Sequence, residues 1–344
     1  MTPVATMGVS ARATRVGQER LASHADHPSL APLQAEALLG LLGHLRDIGY
    51  QFVTPTPATH ARVLARQPGR TGTTLSDVLG WSLPFHAGAI EPAVAALLGA
   101  SGMLVQRPDG LLQSAIRVSS LHGRLFIHSA YPTEAEDAVF LGPDSYRFAD
   151  LIERVLGAWA GRSAPLVLDI GAGAGVGALV AADRLPAARI VMTDINPRAL
   201  TFAQINARHA GYAIDGRLGR NLAGWREGAD IVLANPPYVI DPAGRAYRDG
   251  GTMHGGAVAL EMTETALDAL HPGGLFILYT GSAIVAGEDP LRVALCALAE
   301  RKGVRLDYRE LDPDVFGEEL ENPAYADVER IAVVGGLFSA AARV

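Results

Sequence analysis

From residue 165 onward, short aliphatic and β-branched runs alternate with longer segments in which apolar positions recur every three or four residues. The short runs are LVLDI, ARIVMTDI, YAIDGRL, ADIVLA, GGLFILYT, VRLDYREL and DVERIAVVGGLF; the long ones include GALVAADRL, RALTFAQINARHA, AVALEMTETALDAL and PLRVALCALAE. Continuous or alternating apolar runs of roughly four to eight residues predict strands, and a period near 3.6 predicts helices. Regular alternation of the two predicts an α/β fold: a Rossmann-like, doubly wound, mainly parallel sheet of seven strands.

The first part of the chain follows another pattern. SLAPLQAEALLGLLGHLRDIGY places leucines at helical spacing, and ATHARVLARQ, TTLSDVLGW and AIEPAVAALLGAS read as shorter helices. MLVQRPDGLLQSAIRVSSLHGRLFIHSA then holds three β-rich runs separated by PDG and HGR, which predicts a small meander. Helices followed by such a unit predict a helical, winged-helix-like accessory domain over 28–135 that docks substrate, ahead of a catalytic domain over 140–344. Residues 1–27 are polar and read as a disordered tail. Between the domains, YPTEAEDAVF is an acidic linker, and LGPDSYRFADLIERVL enters a helix with Asp144 or Ser145 as its N-cap.

Composition narrows the class. The 344 residues are 49% hydrophobic and 19% charged, with 28 arginines and one lysine against 36 acids, for a net charge of −7. That balance opposes a strong nonspecific grip on nucleic acid, and residues 1–150 carry 11 arginines against 12 acids, so no DNA-reading patch stands out there. Cys296 is the single cysteine, which excludes intramolecular disulfides and cysteine-based zinc sites; its place in LRVALCALAE predicts core packing. His209, His254 and His271 show no metal-ligand spacing, so no metal is expected. No run reaches the roughly 18 apolar residues of a membrane span, and the amino terminus lacks the apolar stretch of a signal peptide, so the expectation is a cytoplasmic protein with no membrane contact.

Two loops carry the candidate chemistry. In LVLDIGAGAGVGALV, Gly171, Gly173 and Gly175 allow a tight turn and a close backbone approach to a ligand, with a helix amino terminus behind them. Asp194 lies 19 residues past Gly175 at the end of the next strand, where an acid accepts hydrogen bonds from a ribose diol. These features fit a nicotinamide dinucleotide enzyme or a methyltransferase using S-adenosyl-L-methionine (SAM). Asp169 favours the second, since a carboxylate repels a phosphate and attracts a sulfonium and an ammonium group. The other loop is LANPPYVI at 233–240, where two prolines end a strand because proline cannot join a sheet ladder. Asn235, Pro236, Pro237 and Tyr238 are thereby placed at a strand's carboxyl end, where open α/β sheets bind ligands.

In this order the motifs resemble class I SAM-dependent methyltransferases of the HemK type, NPPY-motif N-methyltransferases with a "methyltransferase small" domain, over roughly 140–344. VLDIGAGAG is similar to the family's SAM loop, TDINP to its ribose-binding strand end and NPPY to its catalytic tetrad. The resemblance implies Asn235, Pro236, Pro237 and Tyr238 as catalytic. It implies Ser145, Asp169, Gly171, Gly173, Gly175, Asp194, Ile195, Asn221, Leu222 and Asn235 around the cofactor. RDGGTMHGGAVALEM at 248–262 resembles the glycine-rich stretch the family carries after the tetrad. Asn221-Leu222 departs from the usual acid before an apolar residue at the adenine, although the asparagine oxygen still accepts a hydrogen bond. The implied activity is SAM-dependent methylation of a planar nitrogen on a macromolecule, either a protein glutamine amide or an exocyclic amino group of an RNA or DNA base. The alternatives are N-methylation of a small metabolite and, more remotely, an NAD-dependent oxidoreductase. In the expected mechanism, the Asn235 side-chain oxygen and the Pro236 carbonyl accept from the target N–H groups. Tyr238 stacks on the flat acceptor.

Overall fold

Strand β5 (Leu166–Ile170) is buried along nearly all its length and has a parallel neighbour on each side. The computed structural model describes residues 30–220, 222, 225–245 and 247–341. The predicted tail over 1–27 and Asn221 lie outside them.

β6 (Arg189–Asp194) and β7 (Asp215–Leu218) extend the sheet on one side of β5, and β8 (Ala229–Ala234) and β9 (Leu270–Ile284) on the other. β11 (Arg330–Ala340) pairs antiparallel with β9, and β10 (Val304–Asp312) antiparallel with β11, giving the order β7-β6-β5-β8-β9-β11-β10. The sheet is therefore the seven-stranded, mainly parallel one that the alternation predicts. β8 is buried at all six positions, as a strand covered on both faces must be. Helices α6 (Val176–Arg184) and α7 (Pro197–His209) connect the first strands; α8 (Ala257–Ala269) and α9 (Pro290–Lys302) follow β8 and β9.

Ahead of the sheet come α1 (Pro32–Asp47), α2 (Pro57–Ala65), α3 (Leu75–Leu79), α4 (Pro92–Ala100) and, directly before β5, α5 (Pro143–Leu156). α1 shows the sequence logic plainly: Leu38, Leu41, Leu42 and Leu45 fall at helical spacing, and all four are fully buried. The expected meander is instead two separate two-stranded sheets, β1 (Leu104–Gln106) with β2 (Leu112–Ser114) and β3 (Ile116–Leu121) with β4 (Arg124–Ser129). His122 and Gly123, both at positive φ, form the two-residue turn of the second hairpin, whose twist suits antiparallel strands.

The two regions share one apolar core: Leu38, Phe126, Ile152, Val167, Leu179 and Phe202 belong to a single buried cluster. Asn206, 1% exposed, is its polar rivet. Its side chain accepts from Ile127 N (2.8 Å) and donates to Ile127 O (3.1 Å) and Ala174 O (3.0 Å), joining the β3–β4 hairpin to the glycine loop. Arg208 pairs with Glu36 and Arg124 with Asp183 across the same junction.

Two expectations need correction. Cys296 is exposed, because Leu291, Leu295, Leu298 and Ala299 form the buried stripe of α9 and the cysteine falls one position off it. Helix α5 starts earlier than expected, with Gly142 as N-cap and Pro143 next, so Asp144 and Ser145 sit inside its first turn. That leaves the Asp144 side chain available for other contacts.

Candidate active site

β5 and β8 lie side by side, so the loops leaving their carboxyl ends open at one edge of the sheet. The chain runs to β6 on one side and to β9 on the other, which makes this the switch point where open α/β sheets form a crevice. A cavity of about 430 Å³ fills it, within the usual range for a small-molecule site.

One wall is built from backbone. Asp194, 9% exposed, accepts from Gly173 N (2.9 Å) through Oδ2 and from Asn196 N (2.8 Å) through Oδ1, which fixes the glycine loop against the end of β6. Gly171 N and Ala172 N both donate to Thr193 O (2.8 and 3.0 Å). Asp169 is 1% exposed; its Oδ2 accepts from Ala178 N (2.8 Å) in the first turn of α6, while its Oδ1 has no partner. Burial pushes its carboxyl up to about 7, and the neighbouring Asp194 charge adds to the rise against the opposing Ala178 hydrogen bond. Asp169 is among the residues that line the cavity, and a buried acid there suits a cationic ligand, which would draw it into the ionised form.

The opposite wall is built from side chains. Pro236 and Pro237 end β8, and Asn235, partly buried, presents a carboxamide with no side-chain hydrogen bond to any described residue. Behind it the Tyr238 hydroxyl donates to Asp144 Oδ2 (2.6 Å), and Tyr279 from β9 donates to Oδ1 of the same carboxylate (3.0 Å). Burial raises the Asp144 carboxyl, and the two tyrosine hydroxyls act against that rise. The glycine-rich stretch has a packing reason. Gly255 sits at φ +94°, and a Cβ there would come within 2.2 Å of Tyr238 O, so only glycine lets this loop close over the tetrad.

The structure brings ten of the sequence-predicted residues to this one cavity: Ser145, Asp169, Gly171, Gly173, Asp194, Ile195, Asn235, Pro236, Pro237 and Tyr238. Two others stand back from it. Gly175 caps α6 at φ 83° and packs where a Cβ would lie 3.0 Å from Ala203 Cβ. Leu222 is 9% exposed and belongs to the core cluster with Leu168 and Val191. The cavity also includes Pro57, Glu136, Phe140, Tyr247 and Phe316, which sequence reasoning missed because they are far apart along the chain and in no motif, and Arg248, which opens the glycine-rich stretch but was not singled out within it. Away from the cavity, His122, Asp150 and Glu153 come together at the surface, but Arg184 already pairs with Glu153.

Residues 155–286 match the family model described as the methyltransferase small domain. This segment is a class I methyltransferase domain of the HemK type. Among curated proteins, the release factor glutamine methyltransferase of Deinococcus radiodurans is 33% identical over 159 residues, covering 45% of this chain and 56% of that one. The enzyme of the same name from Chlamydia trachomatis is 31% identical over 172 residues, 47% and 58% of the two chains. The chain thus spans little more than half the length of these relatives. The 4-amino-L-phenylalanine/4-methylamino-L-phenylalanine methyltransferase of Streptomyces pristinaespiralis is 34% identical over 144 residues, 38% of this chain and 49% of that one. Among solved structures, Trm5b from Pyrococcus abyssi aligns with a TM-score of 0.47 at 16% identity, over 67% of this chain and 59% of that one. No helix among the described residues is long and apolar enough to cross a membrane.

Proposed function

We propose that this protein is a SAM-dependent N-methyltransferase whose acceptor is a planar nitrogen on a macromolecule, with a protein glutamine amide as the favoured target. The observation that carries this reading is the Asn235 carboxamide, free of any partner among the described residues, facing the cavity that the glycine loop also lines. The residues fit SAM: loop N–H groups, an orphaned buried acid at Asp169 and a strand-end acid at Asp194 match its cationic amino-acid end and its ribose. When bound, SAM supplies an electrophilic methyl on a positively charged sulfur.

The chain's own part is positioning. Asp169 attracts the cationic groups, Asp194 and Ser145 hold the cofactor, and Ile195, 45% exposed, offers an apolar surface beside the ribose acid. An amide nitrogen is a poor nucleophile because its lone pair is delocalised. The Asn235 oxygen and the Pro236 carbonyl accept its N–H groups and hold the lone pair toward the methyl. Proline keeps that carbonyl rigid through its fixed φ. Preorganised acceptors of this kind act by orientation and fixed dipoles, without a covalent intermediate.

A protein target is supported by the names of the relatives from Deinococcus and Chlamydia and by the net charge of −7, which works against phosphate-driven binding. In the same proposal, residues 28–135 dock the macromolecule and the reaction is cytoplasmic. An aryl amine of a small amino acid is the second reading, favoured by Phe140, Tyr247 and Phe316 in the cavity and by the Streptomyces relative. The test is methyl transfer from radiolabelled SAM by the purified chain to a blocked glutamine peptide and to 4-amino-L-phenylalanine. Transfer to the amide nitrogen, lost in Asn235→Ala, is expected; label on neither acceptor would refute both readings.

A further inference from the structure

The β3–β4 hairpin buries a positive charge that no acid beside it balances. Arg117 on β3 lies directly opposite His128 on β4, so the two side chains share one face, and Arg117 is 2% exposed. Its Nε donates to Ser129 O (3.0 Å); its other N–H groups have no hydrogen-bond partner, and no carboxylate pairs with it, among the described residues. Arg124, at the turn end of the same hairpin, does pair with an acid, Asp183. Burial pulls the Arg117 guanidinium down to about 10, so it stays charged at neutral pH. Burying a charge is costly unless a partner meets it.

The groups around Arg117 are neutral. Buried Thr54 Oγ1, Ser119 Oγ and His128 Nε2 form a chain, with 2.7 Å between the last two. When the hydroxyls donate along it, the His128 ring carries its proton on Nδ1, which has no partner. His60, fully buried on α2, donates from Nε2 to Trp81 O (3.0 Å) and stacks on Tyr131 at 4.0 Å between centroids, which closes the cluster on that side. Its Nδ1 is left as a lone pair, so the free donors come from Arg117 and His128. Burial and the Arg117 charge keep both imidazoles neutral. On α5, the Tyr146 hydroxyl accepts from Thr54 N (3.1 Å). Tyr131 and Tyr146 are phenols and supply no negative charge at neutral pH.

We propose that Arg117 and His128 bind a small oxyanion, a carboxylate or a phosphate, between the β3–β4 hairpin, α2 and α5. A guanidinium fork takes two oxygens of such a group, and the His128 Nδ1–H takes a third contact. The low exposure restricts the ligand to a compact ion. Neither residue lines the SAM cavity, but the two sites share their helices: Pro57 and Ser145 line the cavity, while His60 and Tyr146 stand in the cluster. The assignment does not depend on the methyltransferase reading.

Thermal unfolding and calorimetry of the full chain test it, with sodium phosphate or sodium acetate replacing chloride at constant ionic strength. One of the two should raise the wild-type melting temperature by roughly 2–4 °C as the site saturates, and the stronger arm identifies the anion. Arg117→Met keeps the volume and removes the charge, and should abolish the response. Arg117→Lys keeps the charge without the fork and should bind about tenfold more weakly. Saturating SAM should leave the anion's affinity unchanged. The proposal is overturned if the wild type responds to neither oxyanion beyond its response to chloride, if Arg117→Met keeps the wild-type response, or if SAM competes with the anion, which would put the anion in the cofactor cavity.

Discussion

The two walls of the cavity are made in different ways. The cofactor wall is local and built from backbone: β5, its glycine loop, α6 and the end of β6 span residues 166–196, and loop N–H groups are fixed by Asp194 and Thr193 O. The wall we propose for the acceptor is assembled from side chains far apart in sequence, with Asp144, Tyr238, Tyr279 and Phe316 converging from four segments. A wall of the first kind tolerates change in side chains that only pack around it. One of the second kind changes with any of its contributors.

The strongest way to break this contrast is at Asn235, where the two walls meet. If the tetrad is only a strand terminator, Pro236 and Pro237 still end β8 and Asn235→Ala costs nothing but local stability. As the preorganised acceptor, its loss lowers kcat roughly 10²–10³-fold. Asn235→Asp, which keeps an oxygen, should retain more activity than the alanine variant. Both should bind SAM like wild type by calorimetry, because that wall is built elsewhere. Turnover of Asn235→Ala within a few-fold of wild type would remove the main support for the proposed function.

Asn206 tests how far the cofactor wall depends on the amino-terminal region. Replacing it by alanine strands the buried Ala174 O and both polar groups of Ile127, with an expected loss of about 2–4 kcal/mol in denaturant unfolding. SAM affinity should fall as well, since Ala174 is part of the glycine loop. Unchanged stability would mean that the two regions are joined by apolar packing alone.

How much of each wall was legible follows from the same contrast. The β5–loop–α6 unit could be read directly: the apolar run, the glycines and the helical period are contiguous, and Asp194 lies one strand away. β8 and its ending at Asn235 were equally plain, because two prolines leave no other reading. The role of Asp144 was not, since an acid near a helix start reads first as a cap; only folding shows that Gly142 takes that place and frees the carboxylate for two tyrosines 94 and 135 residues away. Phe316 gave no periodic signal at all. Its one local hint is the following Gly317 in DVFGEE, a residue pair suited to a sharp change of direction. The split of the expected meander into two hairpins was likewise hidden, because three β-rich runs fit either pairing.

Asp194 sharpens the cofactor side. Its carboxylate already accepts two backbone N–H groups and has lone pairs left for a ribose diol. Asp194→Ala should weaken SAM binding by about 1.5–3 kcal/mol, through lost ribose contacts and a looser glycine loop. Asp194→Asn separates these effects, since it keeps one acceptor oxygen and should lose less. An alanine variant with wild-type SAM affinity would refute the ribose assignment.

The smallest effect is expected from the pH dependence of Asp169, and it distinguishes two roles for this residue. Burial raises its carboxyl from the usual carboxylate range to about 7, so between about pH 4 and 7 the unliganded folded protein keeps a proton that the unfolded chain gives up. The sign follows from that difference: Asp169 makes the unliganded fold less stable as pH rises through this window, and the effect levels off above 7. Cationic SAM favours the carboxylate, so below pH 7 binding has to expel the proton, and affinity should fall by up to about tenfold for each unit of pH lost. Calorimetry in buffers of different ionisation enthalpy should detect proton release at pH 6 and little at pH 8. Asp169→Asn should bind SAM more weakly at pH 8, show a flatter pH profile and unfold at higher temperature without ligand. If the carboxylate only organises the loop through Ala178 N, SAM affinity of the wild type will be level from pH 6 to 8, and the cofactor wall would then be backbone alone.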